Sequence, residues 1–214
     1  MTKRKHERPA MLPAGPAPRH DLRTKHAGDT HIGNFLQASY QDSRATDRLA
    51  RKGYRVDSDL SSSNQSVFVN PRTKRMVVAV AGTHNGDDVA TDTVFAFGGL
   101  KDTPRYKEAR GVLNQARDKY LNYSTSVVGH SLGGAIASGI ARPGELAVTY
   151  NKAATFGTTT RPNEQAFRQE GDVASVLASG NTNMTNLPTS LLSQAVPVFG
   201  PHALGNLQGQ PLFL

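Results

Sequence analysis

The stretch that decides the fold is Ser124-Thr125-Ser126-Val127-Val128-Gly129-His130-Ser131-Leu132-Gly133-Gly134. Its β-branched start predicts a short strand, and the small residues from Leu132 to Ala141 predict a helix that ends before Pro143-Gly144. Glycine lies two residues before and two residues after Ser131, between the predicted strand and the predicted helix. This pattern predicts a nucleophile elbow, because a Cβ at either glycine would collide with nearby backbone. The hydroxyl of Ser131 would then project above the sheet.

Strands and helices alternate on both sides of this segment. Ser66–Val69 and Arg75–Val80 predict a hairpin joined by the turn-forming residues 70–74. Pro104 opens a predicted helix, and later strands are expected at Leu146–Tyr150 or 153–156 and at 173–177. The predicted helix face consists of Tyr106, Ala109, Leu113, Ala116 and Tyr120. We therefore expect an α/β fold with a mostly parallel central sheet, flanking helices and an antiparallel N-terminal hairpin.

Before the hairpin, apolar residues at helical spacing predict an N-terminal helix that covers the sheet. They are Ile32, Phe35, Leu36 and Tyr40, with Leu49 in the same helix or in a second one. A chain of 214 residues suits a single domain. We place this domain at residues 29–214.

Residues 1–28 are expected to form a basic, Pro-rich, disordered tail. Seven of its residues are Lys or Arg and two are Glu7 and Asp21, so it contributes +5 of the net charge of +8. Such a tail could bind an anionic membrane surface or nucleic acid. No apolar signal segment follows the first lysines, and no run of about 18 apolar residues predicts a transmembrane helix. An intracellular or virion-associated location is expected.

The composition also excludes several kinds of chemistry. The absence of cysteine excludes disulfides, thiolate metal sites and a cysteine nucleophile. A phosphate-binding loop is excluded because Gly129–Gly134 lacks the Gly-Lys-Ser/Thr that would have to follow. No metal or cofactor is expected.

A serine nucleophile needs a base, and in elbow-type sites the partners follow in the order Ser, acid, His. Of seven histidines only His202 comes after Ser131, and Asp172 is the only aspartate there. We therefore predict Ser131 as nucleophile, His202 as general base and acid, and Asp172 as the group that orients the imidazole. Glu145, Glu164 and Glu170 are weaker alternatives for the acid.

Two backbone positions are predicted to stabilise a developing oxyanion. The amide of Leu132 begins the helix after the serine, where oriented N–H groups gather. The buried strand Val77–Val80 ends in Gly82-Thr83, which can bring the amide and hydroxyl of Thr83 to the opposite side of the same carbonyl oxygen.

An ordered series of motifs over about residues 60–207 resembles the class 3, fungal-lipase-like branch of the α/β-hydrolases. The series comprises Val77–Val80, Gly82-Thr83, Asp88-Val89-Ala90-Thr91-Asp92, Gly129–Gly134, Phe156-Gly157, Asp172-Val173 and His202. Within that family the chain looks most like the small lipase-like proteins of large DNA viruses and their satellite elements. It departs from the family by having Ala81 where Arg usually precedes Gly-Thr, so the pairing that this Arg supports is expected to be absent. The resemblance implies that Asp92 has a structural role, which is to hold the oxyanion loop, and that it is not catalytic.

The resemblance also implies a substrate and a lid. The lid would lie at Thr93–Leu100, although this segment also suits an ordinary core element. The substrate would be a lipid or another acyl ester, cleaved by an esterase, a lipase or a phospholipase through an acyl-enzyme. An acyltransferase or a peptidase could use the same triad. The alternative from another class is a non-enzymatic, virion-associated or nucleic-acid- or membrane-binding protein on a hydrolase scaffold.

Overall fold

The structure is a computed structural model that describes residues 31–83, 96–154, 160–172 and 184–188. The predicted tail, residues 1–28, lies outside the described residues. So do the predicted strand at 173–177 and His202.

Helices and strands alternate through the described chain. The helices are α1 (Ile32–Ser39), α2 (Ser43–Arg51), α3 (Pro104–Lys119) and α4 (Leu132–Ile140), with 3₁₀ segments at Ser58–Leu60 and Ala96–Asp102. The strands are β1 (Arg55–Val56), β2 (Gln65–Asn70), β3 (Arg75–Val80), β4 (Ser124–His130), β5 (Leu146–Tyr150), β6 (Glu164–Gln169) and β7 (Met184–Leu187).

Within the described residues one sheet contains seven strands, and they lie side by side in chain order from β1 to β7. The β1–β2 and β2–β3 pairs are antiparallel, and every later pair is parallel. The prediction of a mostly parallel sheet with an antiparallel N-terminal hairpin is confirmed. Since β3 to β7 run in one direction, the residues that follow them meet at one edge.

The sheet separates two buried layers. Along β3, Val77 and Ala79 pack on the side of α1 and α2, whereas Met76, Val78 and Val80 pack on the side of α3 and α4. This alternation is the period of two that a strand imposes on its side chains. Both faces of the strand are covered, which explains why its sequence reads as a nearly continuous apolar run.

The N-terminal apolar residues form two helices, which was one of the two expectations. Gln41 has a positive φ of 68° after α1, and the carboxylate of Asp42 accepts a hydrogen bond from the amide of Ala45 at 2.9 Å. Such a cap begins a new helix. Leu49 is therefore buried from α2, against the same layer as Phe35.

Helix α3 has the predicted start and four of the five residues of the predicted buried face; the fifth, Tyr120, follows the helix as its C-cap and is half-buried. The hydroxyl of Thr103 accepts from the amide of Tyr106 at 3.3 Å, and Pro104 occupies the first turn. The buried residues of the helix are Tyr106, Ala109, Leu113 and Ala116.

Of the two positions expected for the strand after α4, Leu146–Tyr150 is the one that forms β5. Residues 153 and 154 are not in a strand, and 155–159 lie outside the described residues. Strands β6 and β7 were not predicted.

Candidate active site

Ser131 occupies the turn between β4 and α4 with φ 56° and ψ −126°. This conformation is rare for a residue with a side chain and is maintained by its surroundings. A Cβ on Gly129 would overlap the carbonyl oxygen of Gly133, and a Cβ on Gly133 would overlap the carbonyl oxygen of Val80. Close packing of backbone therefore requires glycine at both positions.

The backbone of Ser131 is fully engaged, but its side chain is not. The amide of Ser131 donates to the carbonyl of Tyr150 at 3.2 Å, and the serine carbonyl accepts from the amides of Gly134 and Ala153 at 3.0 and 3.1 Å. Ser131 is 1% exposed, and its Oγ has no hydrogen-bond partner within the described part of the chain. A buried hydroxyl without a partner is costly, and such groups are characteristic of catalytic sites.

The two candidate oxyanion donors lie on either side of the serine. Leu132 is the first residue of α4, so its N–H has no acceptor within the helix and lies at the positive end of the helix dipole. A Cβ on Gly82 would lie 3.0 Å from Cβ of Ser131 and 2.9 Å from the carbonyl oxygen of His130. The Gly82-Thr83 segment therefore lies against the turn that holds the serine.

A cluster of rings lies beside this turn. The Tyr40 hydroxyl, at the end of α1, accepts from the amide of Gly82 at 2.7 Å and is hydrogen-bonded to Nδ1 of His130 at 2.8 Å. The His130 ring stacks on Tyr150 with centroids 5.7 Å apart. Burial raises the pKa of Tyr40 to about 12, against the hydrogen bond from Gly82 and the charge of Arg105. Tyr40 is therefore a neutral structural link at physiological pH.

An arginine from another element holds the end of β3, where Ala81 has no charged side chain. Arg105, in the first turn of α3, donates to the carbonyls of Ala81 at 2.6 Å and Gly82 at 3.1 Å. Burial lowers the pKa of Arg105, although the nearby Tyr40 and Glu108 oppose this shift. Arg105 therefore contacts this strand end from another element, while position 81 itself has alanine and cannot make the pairing that an arginine there would support.

Asp172 follows β6 at the same edge of the sheet at which Ser131 follows β4. It is 2% exposed, and its amide donates to the carbonyl of Gln169 at 3.1 Å. Burial, followed by the charge of Asp172, raises the pKa of Tyr150, while a hydrogen bond with Asn151 opposes the rise. The Asp172 carboxylate is thus near the ring that stacks on His130, the residue before the serine.

The three glutamates that were weaker alternatives to Asp172 as the acid lie at three different places in the fold. Glu145 precedes β5, at the opposite edge of the sheet, and pairs with Arg117 at 2.5 Å. Glu164 begins β6 and forms a buried ion pair with Lys152 at 2.7 Å, and it also accepts from the hydroxyls of Ser138 and Thr149. Glu170 is at the same edge as Asp172 but is exposed.

Several predicted positions lie outside the described residues: His202, Asp92, Phe156-Gly157 and the first part of the predicted lid, residues 93–95. The described helices include none with the length and apolar character needed to span a membrane. Among the same residues no group of three or more His, Cys, Asp or Glu side chains could hold a metal ion.

Sequence reasoning did not identify Tyr40 and Arg105 as parts of the site. Tyr40 was counted in the apolar face of a helix, and Arg105 stood only as a residue after the proline that opens α3. A polar tip at the end of an apolar face was the one available signal for Tyr40. No local signal marked Arg105.

A serine at a strand-to-helix turn of a mostly parallel sheet is the arrangement of α/β-hydrolases. The model of the Tle-like phospholipase domain, of the phospholipase-like family, matches residues 36–185. The chain belongs to this phospholipase-like family. No curated protein matches it significantly.

Solved structures that are similar to this chain include the following three. They are Lip2 lipase of Yarrowia lipolytica (16% identity, TM-score 0.34, covering 54% of this chain and 57% of that chain), a fungal lipase–inhibitor complex described as a model for interfacial activation (15%, 0.41, 56% and 59%) and a mutant form of MDLA of Penicillium cyclopium (18%, 0.49, 86% and 87%). The match spans less than two thirds of the first two proteins.

Proposed function

We propose that this chain is a serine hydrolase that cleaves an acyl ester of a lipid through an acyl-enzyme on Ser131. The observation that carries the proposal is the Ser131 hydroxyl, which is buried without a described hydrogen-bond partner in a strained turn at the N-terminus of α4. A structural serine would be expected to satisfy its hydroxyl or cap the helix, and Ser131 makes no side-chain cap.

In the first half of the reaction, Oγ of Ser131 attacks the ester carbonyl carbon while the imidazole of His202 accepts the hydroxyl proton. The tetrahedral intermediate collapses, the C–O bond to the alcohol breaks, and His202 returns the proton to the leaving alkoxide. The acyl group is then bound to Ser131.

In the second half, water attacks the acyl-enzyme with His202 again as the base, and the free acid leaves as Ser131 regains its proton. The negative charge on the carbonyl oxygen is stabilised by the amides of Leu132 and Thr83 in both halves. The position of Leu132 at the start of α4, and the contact of Gly82 with the serine turn, support this assignment.

Asp172 is proposed to orient the imidazole of His202. Its support is position: it is buried, it follows β6 at the edge where Ser131 follows β4, and it is the only aspartate after the serine. His202 is the only histidine after the serine.

A lipid substrate is supported by the family match, whose model describes a phospholipase domain. Among the acyl esters left open by the sequence, this favours the acyl ester of a phospholipid.

The test uses the full chain, a fluorophosphonate probe and two substrates, phosphatidylglycerol vesicles and a tributyrin emulsion. Wild type should be labelled on Ser131 and release fatty acid from the vesicles, and Ser131→Ala should do neither. Ser124→Ala removes an exposed hydroxyl at the start of β4, the strand that leads to Ser131, and should behave as wild type. Folded wild-type protein that takes no label and releases no acid would contradict the proposal. Transfer of the acyl group to an added alcohol instead of water would make it an acyltransferase.

A further inference from the structure

The guanidinium of Arg105 joins two chain segments beside the serine. Nη1 donates to the carbonyl of Gly82 at 3.1 Å, and Nη2 donates to the carbonyl of Ala81 at 2.6 Å and, at the longer distance of 3.5 Å, to that of Asn64. Asn64 precedes β2, and Ala81 and Gly82 follow β3. One planar cation therefore holds the ends of both strands of the hairpin.

The Gly82 carbonyl is in the same peptide group as the amide of Thr83. In a planar trans peptide the C=O and the N–H point in opposite directions, so holding the carbonyl also fixes the direction of the N–H. The amide of Gly82 is itself held by the Tyr40 hydroxyl at 2.7 Å. That amide belongs to the preceding peptide group, so both peptide groups that flank Gly82 are restrained, although glycine alone would leave them free to rotate.

We propose that Arg105 is a positioning residue that aims the Thr83 amide at the oxygen of the substrate carbonyl. The inference rests on the proposed function, because the direction of this N–H matters only if Ser131 carries out acyl transfer. A cation on the carbonyl also polarises the amide and strengthens its N–H as a donor. Arg105 does not touch the substrate and acts only through the Gly82-Thr83 peptide.

A neighbouring residue, Glu108, provides a control that distinguishes the positioning role of Arg105 from simple anchoring of α3. Glu108 is three residues further along the helix and accepts hydrogen bonds from the side chains of Ser62, Asn64 and Gln65 at 3.2, 3.0 and 2.9 Å. These contacts tie α3 to the start of β2 and do not involve Gly82. Glu108→Gln therefore weakens the anchor and leaves the oxyanion peptide in place.

The experiment compares kcat, KM and thermal unfolding of wild type, Arg105→Ala, Arg105→Lys and Glu108→Gln with p-nitrophenyl butyrate. Losing one oxyanion donor lowers kcat by about 10²–10³, and a misdirected donor should cost less, so we expect Arg105→Ala to lower kcat about 10- to 100-fold. Its KM should change less than about threefold, because the donor acts mainly in the transition state. Millimolar guanidinium should restore part of kcat to Arg105→Ala and none to Ser131→Ala. Glu108→Gln should unfold at lower temperature with kcat near that of wild type.

Equal losses of kcat in Arg105→Ala and Glu108→Gln would overturn the inference, as would wild-type kcat in folded Arg105→Ala. If Arg105→Ala does not fold, Arg105→Lys decides, because lysine keeps the charge but cannot span two carbonyls as a fork. A wild-type kcat in Arg105→Lys would then overturn the positioning role. An inactive, unlabelled wild type would instead overturn the proposed function, and the inference with it.

Discussion

The Tyr40 hydroxyl is 2.8 Å from Nδ1 of His130, although 90 residues separate the two in the chain. The same oxygen accepts from the amide of Gly82 at 2.7 Å. One hydroxyl on α1 therefore connects the ends of β3 and β4, the two strands that lead to the candidate oxyanion donor and to the serine.

Replacing Tyr40 with Phe should lower the free energy of unfolding by about 1–3 kcal/mol, because it leaves the Gly82 amide and His130 Nδ1 without this partner. Urea unfolding at neutral pH measures the change. Tyr123→Phe removes a hydroxyl at the start of β4, far from this link, and should change stability by less than about 0.5 kcal/mol. Equal effects of the two substitutions would show that the hydroxyl link is not stabilising.

Gly129→Ala should destabilise the fold by at least about 3 kcal/mol, because overpacking cannot be relieved when the added Cβ meets backbone. The atoms it meets are the carbonyl group of Gly133 and the amide nitrogen of Gly134. The matched change is Gly111→Ala in α3, where a Cβ meets nothing within 4 Å. That substitution should stabilise by about 0.5–1 kcal/mol, since alanine is the better helix former. Circular dichroism with urea compares the two, and a Gly129→Ala protein as stable as wild type would contradict the tight turn.

Asp172→Asn should lower kcat for ester hydrolysis by about 10³–10⁴ without unfolding the chain, because the amide cannot hold the imidazole in the required tautomer. Glu170→Gln, an exposed carboxylate two residues earlier, should leave kcat unchanged. The measurement is the initial rate at saturating substrate. A larger loss in Glu170→Gln than in Asp172→Asn would transfer the role of the acid to Glu170.

Lys152→Met should cost about 3–5 kcal/mol, because it leaves the Glu164 carboxylate buried without its cation. The side chains are 2% and 0% exposed, and Nζ is 2.7 Å from Oε1. Adding Glu164→Gln should recover part of the loss by removing the unpaired charge, whereas Lys107→Met, an exposed lysine of α3, should have little effect. Denaturant unfolding of wild type, Lys152→Met, Glu164→Gln and the double variant gives the coupling energy. A double variant less stable than Lys152→Met would contradict this account.

Stability should fall in acid partly through Asp57. Burial alone would raise its pKa, but hydrogen bonds from Lys119 and Tyr120 and the charge of Lys119 outweigh burial and hold the pKa below its usual value. A lowered folded pKa means that the stabilisation is present above the unfolded pKa, about 3.9, and is lost as pH falls below it. Urea unfolding from about pH 7 to pH 3 should therefore show a steeper fall for wild type than for Asp57→Asn. Asp118→Asn, an exposed aspartate of α3, should keep the wild-type slope, and identical slopes in all three proteins would rule out this role of Asp57.

The parts of the fold that could be predicted have strong local patterns. β3 and β4 are runs of β-branched residues covered on both faces, and α3 has a proline start and a regular buried stripe. β6 was missed because its sequence, Glu164–Gln169, is rich in polar residues, and its buried glutamate is explained only by a lysine twelve residues away. Pairing across the fold overrides local propensity at such positions.

The candidate site likewise has one part that could be predicted from the sequence and one part that could not. The turn around Ser131 could be predicted because one short segment contains the strand, both glycines and the helix start. The contacts of Tyr40 and Arg105 with the end of β3 could not be predicted, because Tyr40 is 42 positions from Gly82 in the sequence and Arg105 is 24 positions from Ala81. Their partners at the end of β3 are backbone groups, which leave no trace in the residue types.

The strict chain order of the sheet has a consequence for biosynthesis. Each described strand after β1 pairs with the described strand that precedes it in the chain, so none of these seven has to be inserted between two that have already joined. The sheet can grow from its N-terminal edge while the ribosome is still working. The chain from β4 to β5, which includes the turn at Ser131, is translated before Asp172. On the proposed assignment, a nascent chain would carry its nucleophile for some time before it could use it.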